Sequence, residues 1–297
     1  MTRAVWLRSS LLLALVACTD ENGTDPDGGG VDAPSSGDAS ECALPAIDAP
    51  WLGTFLGDAM AQLASAPRFT TTERAAARTY LKQQLDAMGW AATDSAFSGG
   101  ANVVATIPAT MGDRDEIIVG AHFDTVMNSP GANDNASGTA VVLAVARYLK
   151  DMPCRTAPVT IVLFDLEETG LFGSRAFAMT RQPANVRAVH TIDQVSYDSD
   201  NDLRFELEVP TTELEMEWRA AATRVGANVV ATNTQGTDHQ AFRERGFAAI
   251  GLTEEYVGGD TSPDRHLASD TVSKVDTPYL TLAAKLTAQV ILTEVAP

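Results

Sequence analysis

Apolar residues along the chain fall into short runs that alternate with longer segments of helical spacing. Nearly unbroken apolar runs between turn residues indicate buried strands, and these runs are residues 102–107, 116–121, 159–164, 186–192 and 248–252. Segments with helical spacing and start or stop signals indicate helices, at residues 70–88, 139–149, around Phe177, 212–225 and 277–292. Strands that are apolar throughout are covered on both faces. The alternation therefore predicts an α/β fold, a single globular domain whose mostly parallel central sheet has helices on both faces.

The N-terminus has the pattern of a secretory signal. Arg3 and Arg8 precede an apolar run that is too short to span a membrane as a stable helix. The run ends with Leu-Val-Ala-Cys at residues 15–18, which resembles the bacterial lipobox, whose cysteine is diacylated and becomes the new N-terminus. We therefore predict a signal peptide at residues 1–17 and lipidation of Cys18. An ordinary signal peptide followed by an incidental cysteine is the alternative.

The segment at residues 18–41 is rich in Asp, Gly, Pro and Ser and contains hardly any large apolar residue. Such a segment buries too little apolar surface to offset its ordering entropy, so we predict a flexible acidic tether. The folded domain then comprises residues 42–297. Tether and lipid anchor together predict an exported bacterial lipoprotein on the periplasmic face or the cell surface, held at the membrane only through its N-terminus.

The chain is strongly acidic. Its formal net charge is −18, and cleavage before Cys18 would remove Arg3 and Arg8 and make it more negative still. This excess argues against nucleic acid or anionic lipid as a partner. Carboxylates that bind a divalent metal would account for part of the excess negative charge.

Cys42 and Cys154 are the two cysteines that remain if Cys18 is lipidated. In an exported protein such a pair is a disulfide candidate, which would join the first segment of the domain to the loop after a helix. Two buried thiols are the alternative.

His122 and Asp124 follow the predicted strand at residues 116–121. Ligand sites of open α/β sheets lie beyond the carboxyl ends of the strands. Residues i and i+2 of an extended segment point to the same side, so Asp124 can hold the imidazole of His122 from behind, as a carboxylate does for many zinc-binding histidines. A lone histidine beside a strand is more often structural, but acidic residues at other strand ends favour a metal ligand here.

Asp134 lies in a turn rich in Gly, Asn and Ser, directly before a predicted helix. Aspartate at such a place often caps the helix. Asn133, Asn135 and Ser137 could each serve as the cap instead, which leaves Asp134 for another role. The two oxygens of its carboxylate can bridge two metal ions.

Glu167 and Glu168 are adjacent after the apolar strand at residues 159–164, and Asp193 ends the next strand. Two neighbouring acids at the end of a buried strand repel each other, and a solvated turn is one interpretation. The functional interpretation divides the work between them: one binds a metal, and the other takes a proton from metal-bound water. His190, within the strand before Asp193, is interpreted as structural.

The two remaining histidines lie in polar loops near the C-terminus. Asp238 and His239 are in one loop, and His266 is in the other, within the run Asp-Arg-His-Leu-Ala-Ser-Asp-Thr. A buried structural role is less expected in a polar loop, so both histidines are candidate metal ligands. Spacing alone does not decide between them.

Together these motifs resemble the zinc aminopeptidases that use two co-catalytic zinc ions, whose simplest members are secreted bacterial enzymes. The resemblance covers nearly the whole folded part, from about residue 70 to residue 295, and rests on five separate motifs in the right order. It implies the phosphorylase/hydrolase-like fold of these peptidases, a peptide substrate and two Zn²⁺ ions per chain. By this resemblance His122 and Asp193 would bind one zinc ion, Glu168 and His266 the other, and Asp134 would bridge them.

The resemblance also assigns residues that do not bind metal. Glu167 would be the general base, and Asp124 would orient the histidine ligand. Asp238 and His239 match a motif that supports the site.

One position departs from the family pattern. Arg265 precedes His266 where some members have a tyrosine that helps to stabilise the oxyanion. The group with that role is therefore open, and Tyr256 is a candidate by proximity in the sequence. Glu254 and Glu255 follow a strand and could meet a substrate amino group; a solvated edge is the alternative.

Other functions on the same fold are alternatives to an aminopeptidase. Glutaminyl cyclases are acyltransferases that use a single zinc ion and lack the full double ligand set. Receptor relatives of these peptidases bind without catalysis after losing zinc ligands, whereas no ligand position is missing here. A zinc dipeptidase or carboxypeptidase is a further alternative. About 255 folded residues leave no room for a large inserted protease-associated or dimerisation domain, so we expect a compact catalytic domain. We also expect a monomer.

Overall fold

The computed structural model describes residues 42–297, so the predicted signal peptide, lipidation site and tether lie outside the described residues. Within this range the helices are α1 (Leu52–Leu63), α2 (Thr71–Ala87), α3 (Gly138–Lys150), α4 (Phe172–Ala178), α5 (Thr212–Val225), α6 (His239–Arg243) and α7 (Thr277–Val295). The strands are β1 (Thr93–Phe97), β2 (Gly100–Ile107), β3 (Glu116–His122), β4 (Val159–Phe164), β5 (Val186–Ile192), β6 (Arg204–Glu208), β7 (Asn228–Thr232) and β8 (Ala249–Thr253). None of the described helices is both long and apolar enough to cross a membrane.

The strands form one mixed sheet in the order β1-β2-β4-β3-β5-β8-β6-β7. Its four central strands, β4, β3, β5 and β8, run parallel to one another. Antiparallel pairing begins outside this centre, where β2 joins β4 and β6 joins β8. The predicted α/β class is confirmed, and the sheet is parallel where the candidate ligands lie.

Helices cover both faces of the sheet. Successive residues of β3 point to opposite sides, so Ile117 and Val119 belong to one hydrophobic cluster and Ile118 to another. The larger cluster contains residues of α1, α2, α3, α5 and α7. On the other face Phe177 of α4 packs against Phe242 of α6, with ring centroids 6.3 Å apart.

The parallel centre brings the candidate ligands to one edge of the sheet. His122 ends β3 and is level with Phe164, the last residue of β4. Asp193 follows β5 directly, and Glu254 follows β8 directly. Because these strands share one direction, the residues that leave their carboxyl ends surround a common space.

All the predicted elements are present, and local signals account for their boundaries. Thr70 and Glu73 form the capping box at the start of α2: the Thr70 hydroxyl accepts the Glu73 N–H, and the Glu73 carboxylate accepts the Thr70 N–H. Asp276 caps α7 by accepting the N–H of Tyr279 at 2.8 Å.

Five elements have no clear sequence signal, namely α1, α6, β1, β6 and β7. Helix α1 contains Gly53 and Gly57 and starts without a side-chain cap. Strand β6 has the sequence Arg-Phe-Glu-Leu-Glu, which is typical of a solvated segment, yet Glu206 and Glu208 are both buried. Contacts with distant parts of the chain override local preference in these elements.

Cys42 and Cys154 form a disulfide whose Cα atoms are 5.2 Å apart. The two cysteines are 112 positions apart in the sequence. The bond ties the start of the described chain to the loop after α3.

Replacing both Cys42 and Cys154 with serine is expected to lower the free energy of unfolding by about 2–4 kcal/mol, because the unfolded chain loses a long-range constraint. Equilibrium unfolding in urea measures the difference. As a control, a reductant should destabilise the wild-type protein and leave the double variant unchanged. Equal stability of the two oxidised proteins would contradict this expectation.

Candidate metal centre

Two groups of three potential metal ligands lie beside each other at the carboxyl edge of the sheet. The ligand atoms within each group are all within 4.8 Å of one another. The first group is His122, Glu167 and Asp193, and the second is Asp134, Glu168 and His266. Residues that are more than 140 positions apart in the sequence thus meet in one place.

His122 is fully buried, and one of its ring nitrogens is set up to bind a metal. Its Nδ1 lies 3.2 Å from the backbone carbonyl of Asp124 and 3.5 Å from the Asp124 carboxylate. A carbonyl can only accept, so Nδ1 carries the hydrogen, and in the neutral ring Nε2 has the free lone pair. Nε2 is buried and has no hydrogen-bond partner among the described residues.

The backbone of the turn at residues 132–137 presents Asp134 to the site. The carboxylate of Asp270 accepts the N–H groups of Asn133 and Asp134, at 2.8 Å and 3.1 Å. At the start of α3 it is the side chain of Asn135 that accepts a backbone N–H, that of Gly138, with Oδ1 at 2.8 Å. Asp134 is therefore not the helix cap.

The carboxylate of Asp134 belongs to the second ligand group and also faces the first. Its Oδ1 is 3.3 Å from Nε2 of His122, and its Oδ2 is 3.0 Å from Nε2 of His266. One oxygen faces each group, which is the arrangement that a bridging carboxylate needs.

The two glutamates of the pair are held by Asp124 and differ in position. The Asp124 carboxylate accepts the N–H of Glu167 at 3.0 Å and that of Glu168 at 3.3 Å. Oε2 of Glu168 lies 3.1 Å from Nε2 of His266, whereas Oε2 of Glu167 lies 3.9 Å from Nε2 of His122. Glu168 is thus the closer of the two to a histidine, and Asp124 positions both glutamates as well as His122.

The electrostatics of the site favour added positive charge. Burial raises the pKa of Glu167 to about 10, and the neighbouring charge of Asp193 adds to this effect. Burial also raises the pKa of Glu168 to about 7. Burial by itself would lower the pKa of His122, but the charges of Asp193 and Glu167 raise it well above its usual range. The two glutamates therefore hold protons more readily unless a metal cation supplies positive charge.

Asp238 and His239 are fully buried, at the start of α6. The expectation that a polar loop leaves His239 exposed is wrong, because its Nδ1 lies 2.7 Å from Oγ1 of Thr237 and 3.2 Å from Oε2 of Glu208. Neither residue belongs to a ligand group. Burial raises the pKa of Asp238 to about 7.

Glu254 connects three segments that hold ligands, a role that the sequence did not indicate. Its carboxylate accepts hydrogen bonds from the side chain of Asn133 at 2.9 Å and from that of Gln194 at 2.7 Å. It also accepts the hydroxyl of Thr261 at 3.0 Å and the N–H of Ser262 at 2.8 Å. Asn133 and Gln194 are the sequence neighbours of Asp134 and Asp193. Thr261 and Ser262 lie a few residues before His266.

Glu254 therefore cannot meet a substrate amino group, because it is fully buried and both of its oxygens are occupied. Glu255 does not present a solvated edge either: its side chain is 7% exposed and pairs with Arg204. The two interpretations from the sequence, contact with a substrate amino group and a solvated edge, are therefore wrong. The sequence around an acid that follows a strand does not reveal whether the acid contacts solvent or distant residues.

Glu254→Gln is expected to weaken zinc binding by about 10- to 100-fold, because an amide cannot accept all the hydrogen bonds that position the three ligand-bearing segments. Competition with a chromogenic chelator measures the zinc affinity. Glu255→Gln is the control, since it changes a neighbouring acid that pairs with Arg204 instead. Equal zinc affinity of Glu254→Gln and the wild-type protein would refute this role.

Arg265 lies over the carboxylate of Asp134. Its Nε donates to Oδ2 of Asp134 at 3.1 Å, and its guanidinium carbon is 5.8 Å from the centre of the Tyr256 ring. Tyr256 is half exposed, at 49%. Tyr256, the candidate for the oxyanion-stabilising group, thus lies on the solvent side of the site.

Comparison with known proteins supports a peptidase. The model of peptidase family M28 matches residues 102–291. Aminopeptidase YwaD of Bacillus subtilis is 27% identical over 191 residues, which are 60% of this chain and 41% of YwaD. The chain thus matches less than half of the length of that relative.

Solved structures share the fold. The LapA aminopeptidase of Legionella pneumophila superposes with a TM-score of 0.76 at 20% identity, over 82% of this chain and 72% of LapA. A glutaminyl cyclase of Porphyromonas gingivalis superposes with a TM-score of 0.70 at 18% identity, over 82% of this chain and 98% of the cyclase. The family match covers more than half of the chain and includes every residue of the two ligand groups. The chain therefore belongs to peptidase family M28.

Proposed function

We propose that the chain is an exported aminopeptidase that uses two zinc ions to remove N-terminal residues from peptides. The observation that carries the proposal is the position of Asp134, whose two oxygens lie 3.3 Å and 3.0 Å from the Nε2 atoms of His122 and His266. Family membership and the similarity to aminopeptidase YwaD support the reaction class.

The ligand set fits zinc, which binds histidine nitrogen and carboxylate oxygen. Nε2 of His122 and Oε1 of Glu168 are buried without a hydrogen-bond partner among the described residues, and a metal ion would satisfy both. His122 and Asp193 would hold one zinc ion, Glu168 and His266 the other, and Asp134 both. The five positions are those that the family resemblance implies.

Zinc, when bound, would polarise the scissile carbonyl and lower the pKa of water. Glu167 would take the proton from the attacking water and deliver it to the leaving amine. Its side chain is 10% exposed, so it can reach a substrate while remaining in a site that excludes bulk water. Asp124 keeps His122 and both glutamates in position through the contacts described above.

Hydrolysis of aminoacyl-4-nitroanilides tests the proposal. The zinc-loaded protein should hydrolyse substrates with a free amino group, lose the activity to a chelator, and regain it when zinc is restored. An N-acetylated nitroanilide should not be cleaved. Conversion of a glutaminyl peptide to its pyroglutamyl form without nitroanilide hydrolysis would identify a cyclase instead. Cleavage restricted to dipeptides or to C-terminal residues would identify a dipeptidase or a carboxypeptidase.

We also propose that the protein is a monomeric lipoprotein anchored through Cys18. The Leu-Val-Ala-Cys run at residues 15–18 supports this, and the Cys42–Cys154 disulfide fits an oxidising compartment. Metabolic labelling with a fatty acid should mark the wild-type protein and not Cys18→Ser. Labelling of both proteins, or of neither, would contradict the anchor.

A further inference from the structure

A pocket adjoins the metal centre and has an unusually polar wall. Asp193 and Arg265 stand at the end nearest the metal ligands. Apart from Gly236, every residue that lines the pocket has a polar side-chain atom, and Tyr256 is the one aromatic residue among them. A pocket that selected leucine or phenylalanine would instead be lined mainly by aliphatic and aromatic side chains.

Glu208, at the end of β6, is the buried acid of this pocket. Its side chain is only 2% exposed. Oε2 accepts the hydroxyl of Thr237 at 2.7 Å and lies 3.2 Å from Nδ1 of His239. Oε1 has no hydrogen-bond partner among the described residues, although Glu208 lines the pocket.

The neighbouring strand makes room for this carboxylate. Gly251 of β8 pairs with Glu208, and a Cβ atom at position 251 would lie 2.2 Å from Oε2 of Glu208. Any larger residue at this position would displace the acid. Thr237 and His239 therefore hold Glu208 through Oε2, and the missing side chain of Gly251 leaves room for that oxygen.

We propose that this pocket binds the side chain of the N-terminal residue of the substrate, and that Glu208 selects lysine or arginine there. The inference rests on the proposed aminopeptidase function and adds the substrate class. The N-terminal residue is the one that an aminopeptidase must recognise, and Asp193 joins the pocket to the metal centre. An ammonium or guanidinium group would pair with Oε1 of Glu208, while the methylene stem would lie along the threonine methyl groups.

The selectivity of the pocket arises from rejection of aliphatic side chains as well as from attraction of basic ones. A leucine side chain would displace water from Glu208 and leave a carboxylate oxygen desolvated without a partner, which is costly. A cationic side chain replaces the lost water with a charge-assisted hydrogen bond. The expected discrimination is at least about tenfold in kcat/KM.

Arg265 could instead favour substrates with an acidic N-terminal residue, because its guanidinium could pair with an acidic side chain. Its Nε is directed at Asp134, however, and the guanidinium lies over the Tyr256 ring at the metal end of the pocket. A glutamyl side chain that entered the pocket would have to approach Glu208. The charge of the buried acid therefore favours basic residues over acidic ones.

The test compares kcat/KM of the zinc-loaded protein on lysyl-, arginyl-, leucyl- and glutamyl-4-nitroanilide. The wild-type protein should prefer the two basic substrates over leucyl by at least about tenfold. Glu208→Gln should remove that preference, by slowing hydrolysis of the basic substrates and speeding that of leucyl-4-nitroanilide. Glu206→Gln is the matched control: this buried acid lies two residues away on the same strand, and its Oε1 accepts the N–H of Gly258 at 2.7 Å. The control should retain the preference.

Binding of the free amino acids L-lysine and L-leucine, measured by calorimetry on the zinc-loaded wild-type protein and Glu208→Gln, separates the two proposals. Preference for leucyl or glutamyl substrates would overturn the role of Glu208 and leave the peptidase intact. If no nitroanilide is cleaved, the proposed function fails. Tighter binding of L-lysine that is lost in Glu208→Gln would then still support the pocket, and equal binding of the two amino acids would overturn it.

Discussion

Glu167→Gln is expected to reduce kcat by about 10²- to 10⁴-fold and to leave the zinc content unchanged. The amide keeps the size of the side chain but cannot take a proton from water. Glu167 lies 3.9 Å from Nε2 of His122, farther than the carboxylates of Asp134 and Asp193, at 3.3 Å and 3.4 Å. These distances favour Glu167 as a base beside the metal centre and not as a metal ligand.

Glu168→Gln is the matched comparison for this prediction. The two glutamates are adjacent, and both backbone N–H groups donate to Asp124, so the two substitutions perturb the same short segment. Glu168→Gln should lower the zinc content, since Glu168 lies 3.1 Å from Nε2 of His266. Near wild-type hydrolysis by Glu167→Gln would disprove the base. Loss of zinc from Glu167→Gln would show that Glu167 is a metal ligand.

Asp134→Asn is expected to release at least one zinc ion per chain and to lower kcat/KM by at least about 100-fold, because a neutral amide has one oxygen where the carboxylate has two. The backbone of the turn should stay in place, since the Asp270 carboxylate holds the N–H of residue 134 and not its side chain. Elemental analysis of the purified variant measures the zinc content.

Asp264→Asn serves as the control, because Asp264 is in the loop of His266 but belongs to neither ligand group. It should keep both zinc ions and most of the activity. Full zinc content in Asp134→Asn would show that Asp134 does not bridge.

Much of this site could be predicted because its ligands follow strands that are apolar throughout. Parallel strands end at one edge, so His122, Asp193 and the Glu167–Glu168 pair could be placed together without knowledge of the loops. The three other possible caps in the turn, Asn133, Asn135 and Ser137, similarly left Asp134 available for another role. In these cases local chemistry and sheet direction were sufficient.

The buried acids could not be predicted. Glu254 and Glu208 lie in segments whose composition is typical of a solvated edge, and what distinguishes them is contact with distant residues. Asn133, which donates to Glu254, is 121 positions away in the sequence. The partners of Glu208 are Thr237 and His239, in a loop whose polar composition indicated exposure. Burial of an acid depends on tertiary partners that a local pattern does not contain.

The number and position of bound zinc ions test the central claim most directly. A crystal of the zinc-loaded protein, with anomalous diffraction recorded at the zinc absorption edge, locates them independently of activity. We predict two peaks on opposite sides of Asp134, one beside His122 and Asp193 and the other beside Glu168 and His266. A single peak, or peaks that Asp134 does not join, would contradict a two-zinc aminopeptidase.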